Sequence, residues 1–158
     1  MPSPHRSIHA RRHAAGFSLI EIMIVVAIAA ILVLVALPAY NDSVRKSRRS
    51  DAMTALSAVQ QAQERWRANN AAYTATLSDL NLAAATPWTY YEIAIAQADA
   101  TSYIATALGK TGTSQAQDTN CKRLGVRVLG GNITYAGCGS CASFSAADFQ
   151  TTHACFPQ

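Results

Sequence analysis

The sequence predicts an α+β protein in which one long N-terminal helix, apolar in its first half and amphipathic in its second, holds an antiparallel sheet of four short strands. Three observations predict it. Residues 22–37 are all apolar. Residues 43–69 repeat apolar side chains at steps of three and four, the helical period. Beyond residue 90 the pattern changes to short alternating stretches separated by turn residues.

The apolar run comes first. With residues 17–20 it makes a span of 21 residues containing one charge, Glu21. At 1.5 Å per residue such a helix is about 31 Å long, against about 30 Å of bilayer hydrocarbon, so it is long enough to cross. A carboxylate there is costly, roughly 2.5–3.5 kcal/mol at mid-span and less near the end, and it calls for a partner. The nearest upstream bases are Arg11 and Arg12, beyond Gly16. A cut after Gly16 would create an amine on Phe17 one helical turn from Glu21. That amine could pair with Glu21 of its own chain or of a neighbouring copy.

Residues 1–16 carry three arginines and no acid, a distribution that keeps a leader cytoplasmic. His5, His9 and His13 share a helical spacing, but in a discarded leader they need no metal. A secretory signal is the rival explanation, although its apolar core is usually 7–15 residues and uncharged.

Pro38 predicts a kink, with Asn41 or Asp42 capping a resumed helix. Val44, Met53, Leu56, Val59 and Trp66 form the apolar stripe of the second half, widened by Ala52, Ala55 and Ala62. Asn69-Asn70 ends it. The basic run Arg45, Lys46, Arg48 and Arg49 reads as contacts to lipid headgroups or to acidic groups on neighbouring subunits. Tyr73, Leu77 and Leu80 anchor the connecting region. Strands are expected over 91–95, 103–107, 124–129 and 133–135. Gly130-Gly131 signals a hairpin, residues 110–120 read as a loop, and residue 137 onward reads as irregular.

The formal charge of +4 first hints at nucleic acid. Its location removes the hint: from residue 50 on, six basic residues face seven acidic ones. No nucleophile–base pair, phosphate-binding glycine loop or metal motif stands out, and His153 is the only histidine there, so neither an enzyme nor a cofactor is expected.

Cys121, Cys138, Cys141 and Cys155 suit a disulfide framework in an exported head. Three pairings exist. A hairpin centred on Gly130-Gly131 sets Cys121 opposite about residue 140, close to both Cys138 and Cys141, which favours a cross-strand bridge and leaves the other cysteine for Cys155. Cys138-Gly-Ser-Cys141 also invites a thiol-redox reading, but the glycines around it predict a loop rather than the helix N-terminus such chemistry uses. A four-cysteine zinc site lacks the paired spacing.

Residues 16–21, Gly-Phe-Ser-Leu-Ile-Glu, resemble the prepilin cleavage site of type IV pilins, and the similarity continues through Pro38-Ala39-Tyr40. The chain resembles the type IVa class, a PilE-like minor pilin, and residues 73–82 are similar to the loop after the long helix in that group. The resemblance implies the type IV pilin fold with a disulfide-bound C-terminal loop. It implies cleavage between Gly16 and Phe17, methylation of the Phe17 amine, and a role for Glu21 in bringing subunits into register. Three segments follow: leader 1–16, transmembrane and assembly helix 17–49, and head 50–158. Many pilins carry glycine where this chain has Ala30, and alanine favours helix by about 1 kcal/mol, which works against unwinding before Pro38.

The implied partners are other pilin subunits, the prepilin peptidase and an inner-membrane assembly platform. The head would face the periplasm from a single span, then be carried outside in a fibre serving adhesion, twitching motility or DNA uptake. By the same resemblance Asp118, Cys121 and Cys155 bracket the terminal loop, leaving Cys138–Cys141 as a tight bridge, although Phe156 stands where the family often has tryptophan. In pilins of DNA uptake, basic residues near the disulfides contact phosphates, which makes Lys122, Arg123 and Arg127 the matching positions. A type II secretion pseudopilin would share the N-terminus, but such heads often use acidic calcium loops and lack disulfides.

Overall fold

Apolar periodicity first, then alternation, is what the fold follows. The computed structural model describes residues 17–82 and 88–156. Gly16 and the leader histidines lie outside the described residues. Helix α1 spans Leu19–Arg67. The strands are β1 (Tyr91–Ala98), β2 (Ser102–Gly109), β3 (Arg123–Leu129) and β4 (Asn132–Cys138), with short 3-10 turns at Leu77–Leu80, Ser114–Gln117 and Ala146–Asp148. The chain divides into two units between Ala39 and Tyr40.

In the first unit the described residues, 17–39, are helical from Leu19 and all exposed. Its apolar side chains touch no core: Leu34 and Val35 are each more than 70% exposed. Asn41 and Asp42 do not cap a second helix, as the reading of Pro38 predicted. They lie inside α1, which includes Pro38. A proline removes one hydrogen bond without being obliged to end the helix, and residues on either side are good helix formers.

The second unit is a helix laid on a meander. Its sheet order is β1-β2-β3-β4, antiparallel throughout. Each strand extends past the alternating residues that predicted it, because ladder partners supply backbone hydrogen bonds where side-chain pattern fades. Thus β4 continues through Gly137 to Cys138, opposite Leu124 and Arg123. Gly130 and Gly131 both have positive φ, 56° and 83°, the conformation a two-residue hairpin turn requires.

The core joins Ala52, Ala55, Leu56, Val59 and Ala62 of α1 to Tyr103, Ala105 and Ala107 of β2 and Leu124, Val126 and Val128 of β3. Alanines on both sides let helix and sheet meet closely, while the leucines and valines supply bulk. Arg49 and Gln63 are buried on the same helical stripe. Gln63 stays there because its amide is satisfied: Nε2 donates to the Thr74 carbonyl at 2.6 Å and Oε1 accepts the Thr74 amide at 3.2 Å. Asn70 closes the helix end by donating to the Trp66 carbonyl at 2.8 Å. Tyr73 and Leu80 anchor the connection, Leu80 buried and Tyr73 edge-on to Tyr103 at 4.8 Å.

The other face of the sheet carries the terminal segment. Arg123, Gly125 and Arg127 alternate with the core residues of β3, so they point to this face. Phe144 packs where a side chain at Gly125 would lie, since a Cβ there would come within 2.6 Å of its ring. Phe149 meets Phe144 edge-on at 5.5 Å. Gln150 and Tyr135 exchange two backbone hydrogen bonds, at 2.7 and 2.8 Å, which covers part of the β4 edge.

Candidate functional site

Two regions carry the chemistry that the sequence singles out. At the start of α1, Phe17 is 77% exposed and precedes the first turn, where Glu21 sits. The Ile22 amide donates to the Ser18 carbonyl at 3.2 Å, so helical bonding begins at once. A carboxylate in a first turn also suits the positive end of the helix dipole. Glu21 is exposed and makes no ion pair among the described residues.

The second region is the disulfide-bound end of the head. Cys121 pairs with Cys155, with Cα atoms 5.7 Å apart, and Cys138 pairs with Cys141, with Cα atoms 5.9 Å apart. The cross-strand bridge argued from the hairpin does not form, although the register used for it is the one observed, with Arg123 opposite Cys138. The reason lies just before β3. Asp118 accepts the amides of Asn120 at 3.1 Å and Cys121 at 2.9 Å, and this turn takes Cys121 out of the ladder into the core beside Cys155. With all four sulfurs bonded, no thiolate is left for zinc. The Cys138–Cys141 bridge follows a strand and opens no helix, so the redox reading lacks its activating dipole.

The three basic residues separate into two roles. The Arg123 Nε donates to the Cys141 carbonyl at 3.3 Å. Arg127 donates to the Ala146 carbonyl at 3.1 Å, and its guanidinium lies 5.2 Å from the centre of the Phe149 ring. Both arginines therefore fasten the terminal segment to the sheet. The Lys122 side chain makes no hydrogen bond or ion pair among the described residues.

The basic run after the apolar helix also looks inward. Arg49 makes a two-pronged contact with Asp118, Nε to Oδ2 at 2.9 Å and Nη2 to Oδ1 at 3.0 Å, with both side chains buried. Arg48 bonds Ser114 and lies 4.4 Å from the Tyr90 ring centre. Gln115, fully buried, donates to the Tyr91 hydroxyl at 2.6 Å and the Arg45 carbonyl at 3.2 Å. Burial alone would raise the Asp118 pKa. The Arg49 guanidinium and the amides of Cys121 and Asn120 outweigh it and hold the carboxyl below its usual value. Within the second unit, this clasp ties α1 to the segment that sets Cys121. The available signal was position: 49, 52, 56, 59, 63 and 66 keep helical steps, which puts Arg49 and Gln63 on the buried stripe.

Comparison with known proteins follows the same division. Residues 11–37 match the family model described as a prokaryotic N-terminal methylation motif. Residues 38–125, just over half the chain, match the model described as type IV minor pilin ComP, DNA uptake sequence receptor. The fimbrial protein EcpC of Eikenella corrodens is 32% identical over 112 residues, covering 71% of this chain and 72% of that protein. A fimbrial protein of Moraxella nonliquefaciens is 54% identical over 39 residues, a quarter of each chain. A methylation motif leading into an apolar helix of membrane length, and a minor-pilin match continuing into the disulfide-bound head, make this chain a member of the type IV pilins, structural subunits that build pilus fibres.

Proposed function

We propose that the chain is cut between Gly16 and Phe17 by a prepilin peptidase, methylated on the Phe17 amine, and held by residues 17–37 in the inner membrane until assembly. The leader stays cytoplasmic and the head, residues 50–158, faces the periplasm before the fibre carries it outside. The Phe17 amine pairs with Glu21 as a subunit joins the growing bundle at the assembly platform. The observation that carries this reading is the exposed apolar helix with a single carboxylate in its first turn, inside the stretch matched to the methylation motif. Sequencing the mature N-terminus tests it. The first residue is expected to be methylated Phe17. Gly16→Ser is expected to leave the uncut precursor, heavier by roughly a tenth of 16.8 kDa. A wild-type chain that keeps residues 1–16 would reject the reading.

The match to a model described as a DNA uptake sequence receptor favours a second reading, in which the head also contacts DNA. Lys122 is the residue free to meet a phosphate. Arg123 and Arg127 add their charge while remaining fastened to backbone carbonyls. The mature protein should then bind duplex DNA more weakly as salt rises, and Lys122→Ala should flatten the slope by about one counterion. Binding that ignores salt would remove this reading and leave assembly untouched.

A further inference from the structure

Between α1 and the β3–β4 hairpin lies a cavity of 220 Å³ that none of the roles above uses. Its polar lining is Gln60, Glu64, Tyr73 and Tyr103, and Val128, Ile133 and Gly131 complete it. Tyr103 is fully buried, and its hydroxyl has no hydrogen-bond partner among the described residues. Glu64, itself exposed, accepts the Tyr73 hydroxyl at 3.2 Å and makes no ion pair among the described residues. Its charge is felt nearby: burial first, then the Glu64 carboxylate, push up the pKa of both tyrosines. No basic residue lines the cavity. Arg67, 5.8 Å from the Tyr73 ring centre, is already committed to the carbonyls of Asn70 at 2.7 Å and Ala100 at 3.2 Å.

Each polar group here can accept a hydrogen bond, one is a carboxylate, and two are aromatic rings, whose faces attract cations. That chemistry suits a positive donor on an apolar stem. The volume is below the roughly 300–1,000 Å³ of small-molecule sites, so it suits one side chain rather than a metabolite. Several separate acceptors match the three donors of an ammonium better than the planar fork of a guanidinium, which fits a single carboxylate.

We propose that this cavity receives a lysine ammonium, and that in the fibre the lysine is Lys46 of a second copy of this chain. The chain has three lysines. Lys110 bonds the Trp88 carbonyl, Lys122 is half-buried and is the residue offered above to a phosphate, and Lys46 is exposed with no partner among the described residues. Unpaired carboxylate on one copy and unpaired ammonium on the next are complementary. The choice of Lys46 rests on fibre assembly, whereas the ammonium site does not.

Two measurements test the two parts. In the mature full-length chain in detergent micelles, n-butylammonium should shift the NMR ring signals of Tyr73 and Tyr103, and neither n-butanol on the wild type nor n-butylammonium on Glu64→Gln should do so. Unmoved tyrosines, or equal shifts with butanol, overturn the site whether or not fibres form. In fibres, a carbodiimide should join the Glu64 carboxylate to the Lys46 amine of another chain as an amide, with loss of water, identified by peptide mass spectrometry. Lys46→Glu and Glu64→Lys should each lower incorporation about tenfold, and the double swap should restore it. Fibres in which Glu64 joins another lysine or none, with no rescue by the double swap, overturn the choice of Lys46. Wild-type chains that are cut and never form fibres would instead count against the assembly reading, with the butylammonium result still deciding the site.

Discussion

The first unit and the head solve opposite problems with the same helix. In residues 17–39 every side chain is exposed, most are apolar, and one is charged. In the head the helix turns a stripe inward, and even its buried arginine and glutamine have partners. The first unit satisfies its backbone but not its side chains, so lipid or other subunits must complete it. The head completes itself with a small core, a buried ion pair and two disulfides. Folding defects should therefore come from the second region, and assembly defects from the first, with the proposed Lys46–Glu64 contact the exception.

Losing the carboxylate of the first turn breaks the first half of that contrast. Glu21→Ala should leave processing intact and lower fibre incorporation, since losing one partner of a desolvated charge pair costs about 2 kcal/mol or more, roughly 30-fold. Fibre content measured by immunoblot of sheared pili would show it, and normal content would mean the first unit is completed by apolar contact alone.

Next comes the clasp. Arg49→Met should cost about 3–5 kcal/mol of head stability, because it leaves the Asp118 charge buried without its cation. Asp118→Ala should cost at least as much, since it also frees the amides of Asn120 and Cys121. Denaturant melts of the mature protein in detergent would check both. A change under about 1 kcal/mol would mean that the head does not depend on this pair.

The disulfides should differ from each other. Cys121–Cys155 closes 34 residues and should contribute about 4 kcal/mol by loop entropy, whereas Cys138–Cys141 closes three and should contribute under about 2 kcal/mol. Paired alanine substitutions in the same melts would rank them. Equal losses would mean that the terminal segment is held by its short bridge rather than by Arg123 and Arg127.

The smallest effect is that of acid. The Asp118 pKa is lowered in the folded head, so its contribution is complete above the ordinary carboxylate value near 4 and is lost as pH falls through the lower folded value. Asp99 is also lowered, to about 2, by Ser102 and Thr101, but it is fully exposed and should add little. Melting temperatures below pH 4 should therefore fall less steeply in Asp118→Asn than in the wild type.

Legibility follows the same divide. Long periodic stretches were readable: the apolar run, the stripe of Leu56, Val59 and the alanines, and the Gly130-Gly131 hairpin with its register. Residues 110–120 were readable only as polar. They hold Gln115 and Asp118, buried because partners some 70 positions earlier in the chain satisfy them. The short Asp118 turn decided where Cys121 would point. Arg123 and Arg127, singled out by resemblance as matching phosphate contacts, also fasten the terminal segment to the sheet, which no local pattern announced.

The sequence alone determined that a membrane-length apolar helix with one carboxylate precedes an amphipathic helix and a four-stranded meander, because period and length are local properties of the chain. Tertiary structure alone decided which charges are spent inside the head, which cysteines meet, and which tyrosine hydroxyl is buried without a partner among the described residues. Burial and hydrogen bonding between distant residues settle those matters, and no stretch of sequence carries both halves of such a pair.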